Sequence, residues 1–232
     1  MELREVLTNN GINLTTQQIQ LLLAHLTLVQ EANEKVQLTT IRSHEEGIRL
    51  HILDSLLCLP EIKKAPIGKL LDMGTGGGYP GIPLAVSTGR DVTLLDSVKK
   101  KCHVLDGILE EIALDGVRTA PVRAEELALE LPAEYSAITA RALSSLPSLV
   151  ELSSPLLKNK GVLVALKGNI TEEELLRGDK VAAVVGMKRL SVRCYELPEG
   201  NEKRSVVVYK KTGMSKRKLP RRPGMAQRQP LA

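Results

Sequence analysis

The chain has 232 residues, 43% hydrophobic and 25% charged, a balance that excludes a wholly disordered or fibrous protein. No apolar run approaches the roughly 18 residues of a membrane span, and the start MELREVLTNNG does not read as a secretory signal. Three cysteines, far apart and without a CxxC pair, exclude a zinc ribbon or a disulfide framework and suit a reducing cytoplasm.

Two features of composition are unusual. Phe and Trp are absent and there are four Tyr, so the core must be aliphatic and base stacking on aromatics cannot be a main binding device. The net charge is +5, but eight basic residues and no acid lie between Lys210 and Ala232. The rest holds 24 basic against 27 acidic residues. The tail therefore carries the whole positive excess, which reads either as an arm for an anionic partner or as a solvated appendage.

Residues 1–66 read as a helical cap. Thr16 to Asn33 places Ile19, Leu22, Leu23, Leu26 and Val29 at helical spacing. Ser43 and Glu46 form a capping box expected to open a helix through Leu59, ended by Pro60. From residue 67 to 210 the rhythm changes. Apolar runs at Lys69–Met73, Val92–Leu95, Val117–Val122, Ala137–Ala140 and Val162–Lys167 alternate with helical patterns, including Ser97–Leu114 and Ser144–Leu157. That order implies an α/β fold with a parallel sheet covered on both faces. Met187–Tyr195 and Lys203–Lys210 leave no room for a helix between them and read as an antiparallel hairpin. Residues 211–232, with Pro220, Pro223, Gly224 and Pro230 among basic residues, are expected to be an irregular tail.

The segment LLDMGTGGGYPGIPLAV, Leu70 to Val86, carries the most chemistry. A strand reaching Asp72 is followed by Gly74, Gly76, Gly77 and Gly78, then Pro80 and Gly81 open an apolar helix. This is a nucleotide-type loop on the first βα crossing of a doubly wound sheet. Two registers fit. Gly76-x-Gly78-x-x-Gly81 matches the dinucleotide fingerprint, and an NAD(P)-dependent oxidoreductase is one reading. Asp72-x-Gly74-x-Gly76-x-Gly78 fits equally. An acid at that strand end suits the cationic head of S-adenosylmethionine and repels a pyrophosphate. Asp96, 24 residues on, can accept the ribose hydroxyls in either case.

With these residues in view, the chain resembles the RsmG (GidB) family of bacterial 16S rRNA guanine-N7 methyltransferases. The likeness runs through His51-Ile52-Leu53-Asp54-Ser55-Leu56, the glycine loop extended by Pro80-Gly81-Ile82-Pro83-Leu84, Leu95-Asp96-Ser97, Arg123-Ala124-Glu125-Glu126, Arg141-Ala142, Lys167-Gly168 and Pro220-Arg221-Arg222-x-Gly224. It departs from the usual pattern at Ala32, at Gln37 and at Leu50, where an Arg is usual and Arg49 stands one residue earlier.

The resemblance implies a class I S-adenosylmethionine-dependent methyltransferase: a Rossmann-like, mostly parallel seven-stranded sheet with an N-terminal helical cap. It implies methylation of guanine N7 in the 530-loop region of 16S rRNA, with the rRNA or the small ribosomal subunit as partner. Cofactor contacts are expected at Asp72, Gly74, Gly76, Gly78, Tyr79, Asp96, Ala124, Glu125 and Arg141, and Arg141 is the catalytic candidate. RNA contacts are expected at Lys99, Lys100, Lys167, Arg221 and Arg222. No metal is expected, and a cytoplasmic monomer is. A non-catalytic RNA-binding module on the same fold stays open.

His51, Asp54 and Ser55 share one helical face. One short turn cannot set a base between nucleophile and acid, so a hydrolase triad is a poor reading and a polar network joining cap to sheet is the expectation.

Overall fold

The computed structural model describes residues 2–231. Chain order begins with α1 (Leu3–Asn9) and α2 (Thr16–Asn33). The Thr15 hydroxyl accepts from the Gln18 N–H while the Gln18 side chain accepts from the Thr15 N–H, a closed capping box. Ile19, Leu22, His25, Leu26 and Val29 form the buried stripe of α2. Ser43 caps α3 (His44–Glu46), as the sequence predicts. The helix then widens into a π-helical stretch (Gly47–Leu53) before α4 (Asp54–Leu56). It does not run unbroken to Leu59. Pro60 sits in the first turn of a new helix, α5 (Leu59–Lys64), where a missing N–H leaves no bond unmade.

The alternation of strands and helices follows as expected: β1 (Leu70–Met73), α6 (Gly81–Thr88), β2 (Val92–Leu95), α7 (Lys99–Glu111), β3 (Val117–Ala120), α8 (Ala124–Glu130), β4 (Tyr135–Arg141), α9 (Leu146–Ser153), β5 (Leu157–Lys167), α10 (Glu172–Val185), β6 (Met187–Glu196), β7 (Lys203–Lys211) and α11 (Met225–Arg228). Helix α9 ends earlier than its pattern predicts, because Leu157 is drawn into the sheet opposite Tyr135.

The seven strands run β3-β2-β1-β4-β5-β7-β6. β7 lies antiparallel between β5 and β6, and the other pairings are parallel. Every residue of β1 and β2 is buried, the pattern of strands covered on both faces. One apolar cluster joins α1, α2 and the π-helical stretch to α6, α7 and one sheet face. A second joins α8, α9, α10 and α11 to the other. The order reverses between β1 and β4, which opens a crevice at their carboxyl ends.

Residues 212–231 are irregular apart from α11, but they are packed on the second face. Gly224 donates to the buried Glu125 carboxylate at 2.7 Å. Arg221 grips Glu151 with two bonds of 2.7 Å.

Candidate functional site

The glycine loop is shaped by the strand beneath it and the helix after it. Gly74, Gly76 and Gly78 all adopt positive φ. A Cβ on Gly78 would lie 2.6 Å from Ile82 Cδ1 and 3.0 Å from His25 Nε2. A Cβ on Gly81 would run into Leu94 and come within 2.8 Å of the Asp72 side chain. The loop thus lies down on its own scaffold only with hydrogen at these positions.

Asp72 is fully buried. One oxygen accepts from the Thr75 hydroxyl (2.6 Å) and the Gly81 N–H (2.9 Å), and the other from Thr139 (3.1 Å). Burial pushes its pKa up, against the pull of those donors and of the Arg141 charge. The sequence aims this acid at the donor's cationic head. The structure instead turns it under the loop, where it pins β1 to α6. Asp96 is half-buried at the end of β2 and accepts from Gly76 N–H (3.2 Å) and Val98 N–H (2.9 Å). Each of its oxygens keeps capacity for a further donor such as a ribose hydroxyl.

Tyr79, 3% exposed, is clamped by two imidazoles. His51 stacks on it at 4.3 Å and 10°, and His25 leans on it at 4.6 Å and 37°. Arg141 lies 5.7 Å from the ring centroid. Tyr79 closes the floor beneath the loop and has no free face for a base.

His25 points Nε2 at the Gly77 carbonyl, 2.9 Å away, so that nitrogen carries the proton. Burial drives its pKa down to about 4. Arg141 donates to the Leu50 carbonyl (2.8 Å), to Asp54 (3.3 Å) and to His51 Nδ1 (3.2 Å). A guanidinium can only donate, so His51 Nδ1 is bare and its Nε2–H faces the Thr39 hydroxyl at 2.8 Å. Burial, then the Arg141 charge, then His25 bring the His51 pKa down to about 3. Asp54 also accepts from Arg204 at 3.1 Å. The expected network from cap to sheet is therefore present, and its centre is the Asp54 carboxylate between two arginines.

A cavity of about 520 Å³ opens above this network. Gly74, Thr75, Gly76, Gly77 and Tyr79 line it from below, Leu38 to Ile41 and His51 from the cap, and Arg141, Lys167 and Arg204 from the strand ends. Lys167 is already engaged by the Ser144 carbonyl (2.9 Å) and Glu174 (3.0 Å). Ala124 and Glu125 start α8 and are buried away from this cavity. Lys99 and Lys100 are exposed in the first turn of α7, outside it. Arg222 is exposed, whereas Arg221 is committed to Glu151, which is 2% exposed. Arg221 is a folding residue here rather than a free phosphate contact, since burying Glu151 requires its partner.

Sequence reading missed Arg204, Thr39 and His25. His25 left a trace as a polar residue on the buried stripe of α2. Arg204 lies 150 positions from Asp54, and no local pattern joins them.

The loop and cavity stand at the topological switch point of a sheet shared with known enzymes. M. jannaschii TYW2 in complex with AdoMet is 16% identical with a TM-score of 0.54, covering 74% of this chain and 77% of that one. A SAM-dependent methyltransferase from Methanosarcina mazei gives 17% and 0.54, over 66% and 97%. These likenesses establish the fold. A model of the family described as GidB, rRNA small subunit methyltransferase G, matches residues 18–206. Ribosomal RNA small subunit methyltransferase G of Clostridium novyi is 37% identical, covering 88% of this chain and 85% of its own. That of Deinococcus radiodurans is 37% identical over 89% and 83%. With the matched span taking in the cap, the glycine loop and the arginines of the cavity, the chain belongs to the GidB family of small-subunit rRNA methyltransferases.

Proposed function

We propose that this chain transfers a methyl group to N7 of a guanine in the 530-loop region of 16S rRNA. Its family's activity is S-adenosylmethionine-dependent methylation of small-subunit rRNA; the base, the atom and the region are our reading. The oxidoreductase alternative falls with the family assignment. The observation that carries the reading is the cavity at the switch point, bounded on one side by the glycine loop and on the other by Arg141 and Arg204.

The residues fit the donor. The positive-φ glycines fold the backbone tightly back on itself, with their N–H groups bonded to Leu95, Asp96 and Thr75, and so present a wall free of side chains, and Asp96 has spare acceptor capacity beside it. Gly74, Gly76, Gly78 and Asp96 would hold the donor. When bound, S-adenosylmethionine supplies a sulfonium methyl group open to displacement.

Guanine N7 presents a free lone pair, so no proton has to leave before attack and the reading calls for neither a general base nor a metal. That agrees with two buried histidines held neutral and occupied by internal partners. The protein's work is positioning, which can supply roughly 7–11 kcal/mol of the barrier. Arg141, fixed by three partners on the cap, sets the wall against which the target nucleotide rests. Arg141 and Arg204 share one lining carboxylate, Asp54, while Lys167 is paired with Glu174, so the cavity keeps a net positive charge, a field that draws in a polyanion. Lys99, Lys100 and Arg222 are exposed and belong to the outer RNA contact in this reading. The enzyme works as a cytoplasmic monomer.

Transfer of label from S-adenosylmethionine to 16S rRNA, with mapping of the modified base, tests the reading. Label on a guanine N7 in the 530-loop region supports it; label on another base or atom overturns it. Binding of rRNA with no transfer would favour the non-catalytic module.

A further inference from the structure

β7 runs against its neighbours, so it ends at the edge where the parallel strands begin, with Lys210 beside Val162. The chain that leaves it is tied down at once. Thr212 and Gly213 donate to the Gly186 carbonyl, and Lys216 donates to that of Val184. Between this strap and the start of β5 lies a groove of about 730 Å³. Lys211, Lys216, Arg217 and Lys218 line it, and no Asp or Glu does.

Asn159 lines its other wall and is flanked by Lys158 and Lys160, both exposed. These two stand out because residues 158–161 bulge within β5: Tyr135 pairs with Leu157, and Ala137 already pairs with Val162. Lys216, Arg217 and Lys218 are also exposed. Among the described residues none of these five cations forms an ion pair. The carboxylate of Glu134, which feels the Lys158 charge, is already held by Lys69. Lys211 is different: its ammonium is half-buried and donates to Ser154 and the Val185 carbonyl, so it anchors the strap.

We propose that this groove is a second RNA-docking surface, which holds a stretch of sugar-phosphate backbone on the sheet edge opposite the methyl-transfer cavity. The proposal rests on the rRNA reading above and adds to it. Leu157 is level with Tyr135, and Arg141 lies six residues further along β4. At about 3.3 Å per residue the groove and the cavity are roughly 20 Å apart along the sheet. One nucleotide cannot occupy both, so a folded RNA substrate is gripped at two places. The groove selects phosphate by charge and carries no base-reading device; it sets affinity and orientation, and the cavity sets the site of reaction.

The test is a Lys216→Ala/Arg217→Ala/Lys218→Ala triple variant of the full chain, with a Lys158→Ala/Lys160→Ala variant as an independent probe of the other wall. Affinity for 16S rRNA is measured across a salt series, together with calorimetric binding of S-adenosylmethionine and steady-state methylation. For the triple variant the expected result is about a tenfold loss of rRNA affinity near 0.15 M salt and a log–log salt slope shallower by about 2–3, at roughly 0.7–0.9 per phosphate contact. Donor affinity and kcat at saturating rRNA stay at the wild-type level, and KM for rRNA rises. The double variant should shift the slope by about 1–2 in the same direction. Unchanged affinity and slope in both variants would overturn the proposal, as would a fall in kcat with KM unchanged. A wild-type enzyme that fails to methylate rRNA would break the functional reading instead, and the salt slopes would still decide whether the groove touches RNA.

Discussion

Arg141 ties the end of β4 to one turn of the cap through three contacts: the Leu50 carbonyl, the buried Asp54 carboxylate, and the His51 ring that covers Tyr79. Arg141→Ala should lower single-turnover methylation by about 10²-fold, the scale of a roughly 1 Å misplacement at a reacting centre. Arg141→Lys should recover little, because a compact ammonium cannot reach three partners in a plane. An unchanged rate would mean that Arg141 serves packing alone. His51 makes a different prediction. Its pKa falls from 6.5 to about 3 on folding, so between those values the unfolded chain binds the proton that the folded one refuses. Its contribution is whole above about pH 6.5 and is lost as pH falls toward 3, by about 2 kcal/mol at pH 5. Denaturant midpoints at pH 7 and pH 5 should therefore differ less in His51→Gln than in the wild type. An equal pH dependence in the two proteins would count against a neutral, buried His51.

At the level of elements, the sheet was legible and the cap less so. Short apolar runs locate β1 and β2 to within about a residue, because strands covered on both faces have no polar side to blur their ends, whereas β6 and β7 show as two β-rich runs with no room for a helix between them. The helix after Ser43 departs from its expected course at the far end. Hydrophobic spacing does not distinguish i→i+4 from i→i+5 bonding over two turns, and Pro60 after an apolar stretch signals a stop as readily as a start. In the site, the glycine loop and Asp96 were visible as a local motif. The inward turn of Asp72 was not, since it depends on Thr139 and Gly81 arriving from other elements. The same packing makes Gly81 sensitive. Gly81→Ala drives a methyl group onto Leu94 and Asp72 and should cost about 1–3 kcal/mol of stability, as overpacking does. Calorimetry should also show weaker donor binding, because the loop is pinned through that carboxylate. A variant of wild-type stability would show that α6 can shift away from β2.

For the molecule as a whole, the basic tail is two things. Its first part lines the distal groove with free cations; its second is structural. Arg221 neutralises Glu151, and Gly224 satisfies Glu125 at the head of α8. Charge counting from sequence could not separate these, because it registers Arg221 and Arg217 alike. Truncation after Thr212 should therefore do more than weaken RNA binding. It removes the Arg221–Glu151 ion pair, strips Leu219, Ala226 and Leu231 from the second apolar cluster, and frees the start of α8. A lower unfolding midpoint and reduced donor affinity are expected; a truncated chain that keeps both would return the tail to the status of a simple arm.

In the function proposed above, a GidB-family fold places guanine N7 of the 530-loop region against a methyl donor held by the glycine loop. The most direct measurement is base-resolved mapping of 16S rRNA after reaction with labelled S-adenosylmethionine, using the wild-type protein and Arg141→Ala side by side. The expected result is one N7-methylated guanine in that region, with its yield at short times cut about a hundredfold in the variant. Methylation at another base, or the same yield from both proteins, would contradict it.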